Sequence, residues 1–264
     1  MRPIGRIFCK KGSMTKFFIK ISQTSYCTFS YFILKIFNSL DVKGQENLKK
    51  IGNESFIFTS NHNSYIDSGI SAAILLTNGS FFKKIAPVKF LVMDKYFSWK
   101  IFPIRIFLEA MGAVKISKAK VKYADNKHLN SVLDLPLELL RQGGRVWIYP
   151  EGGFHKDGSP KKPRVGIAFL HQQTGAPILP IRIIGNDNVM SKAVPFLPKL
   201  STLFGLNKIK VIIGKPIYSL ENMSLEEVTD KIMNAIYELK EKPALEEVKL
   251  RKLARQRSSS VLPT

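Results

Sequence analysis

His62 and Asp67 are the residues of this chain whose types and spacing best suit acid–base chemistry. They closely follow an apolar run at residues 55–59, which the pattern predicts to be a buried strand. A carboxylate that bonds one imidazole nitrogen fixes the tautomer and leaves the other nitrogen free to take up a proton. His62 and Asp67 are therefore candidates for a base and the carboxylate that orients it.

The spacing of this pair allows a second role for Asp67. Residues five apart do not share a face of an ideal helix, so the two can meet only if His62 precedes a helix and Asp67 lies in its first turn. Ser64 is then a candidate N-cap, and Asp67 fits the capping-box position. The helix dipole also favours a carboxylate in the first turn. A capping role and a hydrogen bond to His62 are compatible, and both stay open.

A second apolar run, at residues 145–149, ends in the sequence Pro150, Glu151, Gly152 and Gly153. The chemistry of α/β proteins tends to lie at the ends of strands. Two strand ends that finish in polar motifs therefore suggest one active site. No serine or cysteine nucleophile elbow accompanies them in the sequence. The pattern thus favours a base that activates a hydroxyl on the substrate itself.

Strand-like and helix-like segments alternate along most of the chain. The strand-like runs are 55–60, 88–93, 113–117, 145–149, 178–184 and 208–213. The helix-like segments are 68–77, 96–110, 126–142, 163–174 and 224–241, the last opened by a capping box of Ser224 and Glu227. This alternation predicts an α/β fold, with a single domain whose mostly parallel sheet is flanked by helices.

The charge of the chain implies an anionic partner. Lys and Arg number 41 against 20 Asp and Glu, a net charge of +21, and the isoelectric point is about 9.9. Such a balance fits nucleic acid, anionic lipid or a phosphorylated substrate. Zinc-ligand spacing, an aromatic RNA-binding signature and a helix-turn-helix are all missing from the sequence, which disfavours nucleic acid. The two cysteines, Cys9 and Cys27, have no metal spacing and fit a reducing compartment.

The first 41 residues carry an amphipathic pattern that is too polar for a good membrane-spanning helix. Large apolar residues recur there at helical intervals between lysines: Phe17, Phe18 and Ile21, then Phe29, Phe32, Ile33, Ile36, Phe37 and Leu40. The pattern equally fits helices lying in a membrane interface and an ordinary helix packed on the domain. We divide the chain into this segment (1–41), a main domain (42–245) and a basic tail expected to be disordered (246–264).

Four blocks carry a resemblance to a known family. They are Asn61 and His62 with Asp67, then residues 111–118, residues 149–153, and residues 175–181. In this order and spacing, the chain resembles the glycerolipid acyltransferase family, and within it the 1-acylglycerol-3-phosphate acyltransferases. The resemblance covers roughly residues 42–220. The first, third and fourth blocks are strongly specific when taken together.

The resemblance implies transfer of a fatty acyl group from acyl-CoA or acyl carrier protein to the free hydroxyl of a lysoglycerophospholipid. The first expected acceptor is 1-acylglycerol-3-phosphate, which would give phosphatidic acid. By the resemblance, His62 is the general base and Asp67 its partner, while Glu151 and Gly152 belong to the acceptor pocket and Glu151 contacts the glycerol. It implies no metal, no cofactor and no acyl-enzyme. Backbone N–H groups at the start of the helix after His62 are candidates to stabilise the oxyanion.

The chain departs from the family pattern where the acceptor phosphate would bind. The second block usually carries a Phe and a final Arg, and here these positions are Lys115 and Lys118. Lysine keeps the charge but lacks the bidentate fork of arginine. The third block usually continues with Thr or Ser and then Arg, and here Gly153 and Phe154 follow. A phosphate held by both lysines, a different lysolipid head group, and solvated lysines without a role all stay open. Arg164, shortly before Gly166, either assists the phosphate or the anionic part of the thioester carrier, or lies in a solvated loop.

A hydrophobic substrate favours the membrane interpretation of the N-terminal segment. The expected partners are an anionic membrane surface, a lysophospholipid and the thioester donor, without nucleic acid. We expect a peripheral or monotopic protein on the cytoplasmic face of a membrane. Two alternatives remain: a catalytically inert peripheral membrane protein, and a basic nucleic-acid-binding protein, which explains the charge but not the paired strand-end motifs.

Overall fold

The strands form where β-branched and aromatic residues cluster, as the pattern predicts. The computed structural model describes residues 13–51, 54–77, 82, 85–117, 126–154, 161–189, 199, 202 and 207–240. Its strands are β1 (Asn38–Lys43), β2 (Phe56–Ser60), β3 (Val88–Met93), β4 (Val114–Ile116), β5 (Arg145–Ile148), β6 (Ile178–Ile184) and β7 (Asn207–Ile213). All six predicted strands are present, and β1 is additional.

Helices connect most of these strands. They are α1 (Ser13–Phe37), α2 (Asp67–Leu76), α3 (Phe102–Ala110), α4 (Asn126–Val132), α5 (Asp134–Arg141), α6 (Gly166–Thr174) and α7 (Leu225–Tyr237). Short 3₁₀ turns lie at Gln45–Lys50, Asp94–Phe97, Trp99–Ile101 and Asn186–Asn188. The predicted capping box of Ser224 and Glu227 opens α7.

The seven strands form one sheet in the order β1-β7-β6-β2-β5-β3-β4. Every pairing is parallel except that of β6 with β7. The five strands from β6 to β4 therefore point the same way, and their carboxyl ends meet along one edge of the sheet. This confirms the predicted α/β fold with a mostly parallel sheet, and it brings the ends of β2 and β5 side by side.

Helices cover both faces of this sheet. Strand β2 is buried along its whole length. Its residues Phe56 and Phe58 pack in a cluster with α1 and α2, and Ile57 packs on the opposite side with α5, α6 and α7. Trp147 stacks between Phe58 and Phe90, at ring-centroid distances of 5.0 and 5.5 Å. A strand buried on both faces is a rigid support for Asn61 and His62, the two residues that follow it.

Two predicted helical segments differ in the structure. The segment 126–142 is broken into α4 and α5, because Pro136 has no N–H for an unbroken helix and is tolerated only in a first turn. The N-terminal apolar stripe ends at Phe37, and Leu40 lies instead on β1, which pairs with β7. That pairing is long-range, so local periodicity does not reveal it.

Helix α1 has two different faces. A buried stripe packs on the domain through Ile19, Gln23, Cys27, Ser30 and Leu34. The amide of Gln23 donates to the carbonyls of Val88 and Met111, at 2.8 Å each, and accepts the Val88 N–H. The opposite face exposes Phe17, Phe18, Ile21, Phe29, Phe32 and Ile36. The helix is thus packed on the domain and also presents aromatic side chains outward. Within the described ranges no helix is long and apolar enough to cross a bilayer.

Candidate active site

His62 and Asp67 meet at the carboxyl end of β2. The His62 Nδ1 lies 2.8 Å from Asp67 Oδ2, which confirms the predicted geometry of a histidine just before a helix and an aspartate in its first turn. An ionised carboxylate only accepts hydrogen bonds, so Nδ1 carries the proton and Nε2 is the basic nitrogen. The His62 side chain is 21% exposed, whereas that of Asp67 is fully buried. The pair can therefore accept a proton from a bound hydroxyl at Nε2.

Asp67 is held from several directions. Its Oδ2 also accepts the backbone N–H groups of Asn63 and Ser64, both at 2.9 Å. Its Oδ1 accepts a hydrogen bond from the side chain of Asn186, in the turn after β6, and this amide also donates to Asn63 Oδ1. These donors replace the water that a buried carboxylate has lost. The orientation of Asp67 is thereby fixed before any substrate binds.

One expectation for the start of α2 is wrong, and the oxyanion role of the N–H groups at the start of this helix stays a prediction. Ile66, not Ser64, is the residue at the N-cap position, and no side chain caps the helix. The carboxylate of Asp67 folds back onto the loop before the helix. The N–H groups of Asn63 and Ser64 are consequently bonded to Asp67, and neither is free to stabilise an oxyanion.

Asn61 fixes the end of β2 to β6. Its amide nitrogen donates to the carbonyl of Ile183 at 2.9 Å, and its oxygen accepts the Ile183 N–H at 2.8 Å. The side chain of Asn61 thus pairs with the backbone of β6 just beyond the end of β2. Because His62 comes next, its backbone is locked to the sheet on that side.

Glu151 locks His62 on the other side. The backbone N–H of His62 donates to Glu151 Oε2 at 2.6 Å, and the hydroxyl of Tyr237 donates to Oε1 at 2.8 Å. Glu151 is 1% exposed. Burial raises the pKa of this carboxyl, and the bonds from Tyr237 and His62 act in the opposite direction. Both oxygens have hydrogen-bond partners within the protein, and the contact of Glu151 with the acceptor glycerol stays a prediction.

Aromatic rings enclose the imidazole. Tyr149 stacks on His62 with ring centroids 4.4 Å apart, and Phe154 meets it edge-on at 5.1 Å. The Tyr149 hydroxyl shares a hydrogen bond with Ser71 Oγ at 2.8 Å. Burial, and after it the charge of Asp67, raise the pKa of Tyr149, which stays neutral. Tyr65 continues the aromatic wall against Phe154, with ring centroids 4.9 Å apart.

Basic side chains lie over the turn that follows Glu151. An ideal Cβ on Gly152 would lie 3.5 Å from Arg164 Nε, and one on Gly153 would lie 3.8 Å from Lys161 Nζ. Both glycines have positive φ, 61° and 134°, a conformation that side chains disfavour. The backbone N–H of Arg164 donates to the Pro150 carbonyl at 2.9 Å. Gly152 and Arg164 are thereby brought together beside Glu151.

The second block lies farther from the base. Lys115 is exposed on β4, the edge strand, and β3 and β5 separate it from β2. Three strand spacings amount to about 14 Å. Lys118 is outside the described residues. The structure thus groups His62, Asp67, Glu151, Gly152 and Arg164. Lys115 lies three strands away from β2, at the edge of the sheet.

Sequence reasoning missed Asn186 and Tyr237. Asn186 contacts Asp67 from 119 residues away, and Tyr237 contacts Glu151 from 86 residues away. Neither lies in a motif of its own, so no local signal marks them. Among the described residues, no group of three or more His, Cys, Asp or Glu side chains is placed to hold a metal ion.

A family model described as Acyltransferase matches residues 39–184. Two chloroplastic 1-acyl-sn-glycerol-3-phosphate acyltransferases, BAT2 of Brassica napus and LPAT1 of Arabidopsis thaliana, are each 26% identical over 217 residues. These matches cover 79% of this chain and 56% and 54% of the plant proteins, so the chain spans about half their length.

A bacterial relative matches over more of its own length. The 1-acyl-sn-glycerol-3-phosphate acyltransferase of Borreliella burgdorferi is 22% identical over 199 residues, which cover 75% of this chain and 72% of that protein. The crystal structure of the 1-acyl-sn-glycerophosphate (LPA) acyltransferase PlsC from Thermotoga maritima superposes with a TM-score of 0.55 at 20% identity, covering 83% of this chain and 81% of that one. This last likeness supports the fold.

Proposed function

The chain belongs to the acyltransferase family, and from that premise we propose that it transfers a fatty acyl group from a thioester to the free hydroxyl of a lysoglycerophospholipid. The proposed donor is acyl-CoA or acyl carrier protein. The first proposed acceptor is 1-acylglycerol-3-phosphate, because the three relatives described above are named for it. The product is then phosphatidic acid, a precursor in phospholipid biosynthesis.

The reaction is a direct transfer. His62 Nε2 takes the proton of the acceptor hydroxyl while the oxygen of that hydroxyl attacks the thioester carbonyl carbon. Asp67 stabilises the imidazolium that forms. When the tetrahedral intermediate collapses, the carbon–sulfur bond breaks and the imidazolium returns the proton to the departing thiolate. The step produces one ester and one thiol.

The observation that carries this proposal is the orientation of His62. Its Nδ1 bonds Asp67, its backbone N–H bonds Glu151, and the preceding residue Asn61 is bonded to β6. Such pre-organisation means that little rearrangement is needed when the hydroxyl arrives. A histidine with a merely structural role does not require a partly exposed ring that is oriented by a fully buried carboxylate.

Arg164 and Lys161 are the proposed contacts for the acceptor phosphate. They lie over Gly152 and Gly153, in the turn whose residues Glu151 and Phe154 contact His62. We propose that Lys115 and Lys118 contact the acceptor at a greater distance from His62. Phe154 stands where the family usually has an arginine, and this supports the second candidate function, acylation of a lysolipid whose head group differs from a bare phosphate.

A thiol-release assay tests the function. The purified protein is mixed with long-chain acyl-CoA, or acylated carrier protein, and a panel of lysolipids. We expect release that depends on lysophosphatidic acid and is lost in His62→Ala, while the melting temperature of the variant stays near that of the parent protein. If thiol release requires a different lysolipid, that lysolipid is the acceptor in place of lysophosphatidic acid. Normal turnover by His62→Ala would overturn the mechanism, and silence with every donor and acceptor would favour the inert membrane protein.

We further propose that the protein binds the cytoplasmic face of an anionic membrane through two neighbouring apolar surfaces. One is the outward face of α1. The other is formed around α3 by Trp99, Phe102, Ile104, Ile106 and Phe107. Tyr26 of α1 contacts Phe107 with ring centroids 4.9 Å apart, so the two surfaces adjoin. Exposed aromatic residues beside lysines are typical of interfacial binding.

Vesicle co-sedimentation tests this binding surface. Replacing Phe29 and Phe32 with serine should reduce binding to anionic vesicles roughly tenfold or more, because two large apolar groups no longer enter the interface. Tyr218→Ser is the matched control, since Tyr218 is an exposed aromatic residue outside both elements. Equal loss in the control, or none in the Phe29 and Phe32 variant, would contradict the proposal.

A further inference from the structure

Helix α7 reaches the active site from outside the stretch that the family model matches. That stretch ends at residue 184, whereas Tyr237 is the last residue of α7. Its hydroxyl donates to Glu151 Oε1 at 2.8 Å, and the other oxygen of this carboxylate accepts the His62 N–H at 2.6 Å. A continuous chain of two hydrogen bonds therefore links α7 to the backbone of the base.

We propose that Tyr237 is a positioning residue for the acyl transfer, acting through Glu151 to hold the backbone of His62 in its reactive place. The inference rests on the proposed function only in assigning His62 as the base. Tyr237 itself touches no reacting atom.

The mechanism follows from the burial of Glu151. A carboxylate that is 1% exposed has lost nearly all of its water, and burial raises its pKa. The two donors, the Tyr237 hydroxyl and the His62 N–H, stabilise the ionised form. Without the hydroxyl, one donor remains and the pKa of Glu151 rises further. The carboxyl group then takes up a proton at a higher pH, and it loses strength as an acceptor for the His62 N–H.

Tyr237 is itself firmly placed. The guanidinium of Arg182 on β6 lies 5.7 Å from the centre of the Tyr237 ring, and it donates to the carbonyls of Tyr237 and Leu239. The next residue of β6, Ile183, is the one that binds Asn61. One strand thus positions both the end of α7 and the residue before His62.

Other ionisable groups around Glu151 do not replace Tyr237. Asp67 acts to raise the pKa of Glu151 and His62 acts to lower it. Arg182 contacts the ring of Tyr237. Arg164 lies over Gly152, the residue after Glu151. Among the residues that the structure describes, the hydrogen bonds to the Glu151 oxygens come from His62 and Tyr237.

Tyr237→Phe tests the inference in the full-length protein. The variant keeps the ring under Arg182 and the backbone bonds, and it removes only the hydroxyl. We expect kcat to fall roughly tenfold, as for the loss of one hydrogen bond to a charged group. We also expect the acid limb of the kcat–pH profile to move to higher pH, and the KM for the lysolipid to stay unchanged. Tyr218→Phe is the control, because among the described residues its hydroxyl donates to the Lys50 carbonyl, at 3.4 Å, and to no catalytic group.

A second variant separates positioning from general destabilisation. Glu151→Gln has no carboxyl group to titrate, so adding Tyr237→Phe to it should not move the acid limb further. A Tyr237→Phe protein that melts at a lower temperature but keeps the parental pH profile and kcat would overturn the inference.

A readout without substrate keeps this test apart from the proposed function. The chain has four histidines, so labelling with ¹⁵N-histidine gives few backbone amide signals, and His62→Ala identifies one of them. We expect the His62 amide to exchange with solvent several-fold faster in Tyr237→Phe than in the parent protein or Tyr218→Phe. Unchanged exchange overturns the inference, whereas an inactive parent protein with faster exchange in the variant overturns only the proposed function.

Discussion

The two halves of the candidate site are built differently. On the base side, His62 is bonded to the turn after β5 and Asp67 to the turn after β6, and the preceding residue, Asn61, is bonded to the end of β6. On the proposed acceptor side, Arg164 and Lys115 are exposed. The base is thus fixed by protein contacts, and the acceptor side has cations that water also solvates. We infer that substitutions affect kcat on the first side and acceptor affinity on the second.

The largest effect is expected from Asp67→Asn. In the structure, His62 Nδ1 and two backbone N–H groups all donate to Asp67 Oδ2. An asparagine amide can place an N–H there instead of an acceptor, so the imidazole loses its orientation. It also loses the negative charge that stabilises the imidazolium. We expect kcat to fall about 10³-fold or more, measured by thiol release at saturating substrates. Asp230→Asn, an exposed carboxylate on α7, is the control. A decrease of less than tenfold would contradict the role given to Asp67.

Asn186→Ala is expected to have a smaller effect on the same side. It removes one donor to Asp67 Oδ1 and leaves the bonds to Oδ2 in place. We expect kcat to fall roughly tenfold and the free energy of unfolding to decrease by about 1–2 kcal/mol. Thiol release and thermal melting measure the two quantities. The exposed Asn234→Ala should change neither, and an Asn186→Ala protein with parental kcat would show that Oδ2 alone orients the base.

The difference between the halves also explains what the sequence could reveal. Strand runs and the motif at His62 are local patterns, so the sheet and the meeting of His62 with Asp67 were predictable. Asn186 and Tyr237 act across 119 and 86 residues, and β1 needs its partner β7 to form. Such contacts depend on the assembled sheet, and periodicity or spacing does not encode them.

Arg164→Ala and Lys115→Ala compare two cations on the acceptor side. Arg164 lies over Gly152 beside the base, and Lys115 is on the edge strand β4. Because both are exposed, the expected effects are modest: the KM for lysophosphatidic acid rises roughly fivefold for Arg164→Ala and about twofold or less for Lys115→Ala. Initial rates at several acceptor concentrations measure this. A larger effect of Lys115 would place the phosphate toward β4 and away from the turn after β5.

A similarly small effect is expected at Phe154, which stands where the family usually has an arginine. Phe154→Arg adds a cation beside Arg164 and removes the edge contact on His62. We expect the ratio of kcat/KM for lysophosphatidic acid to that for lysophosphatidylcholine to rise roughly two- to fivefold, since exposed charges contribute little. Phe154→Leu is the control, because it loses the ring contact without gaining charge. If both variants shift the ratio equally, the aromatic wall of the site, rather than its charge, determines which head group is accepted.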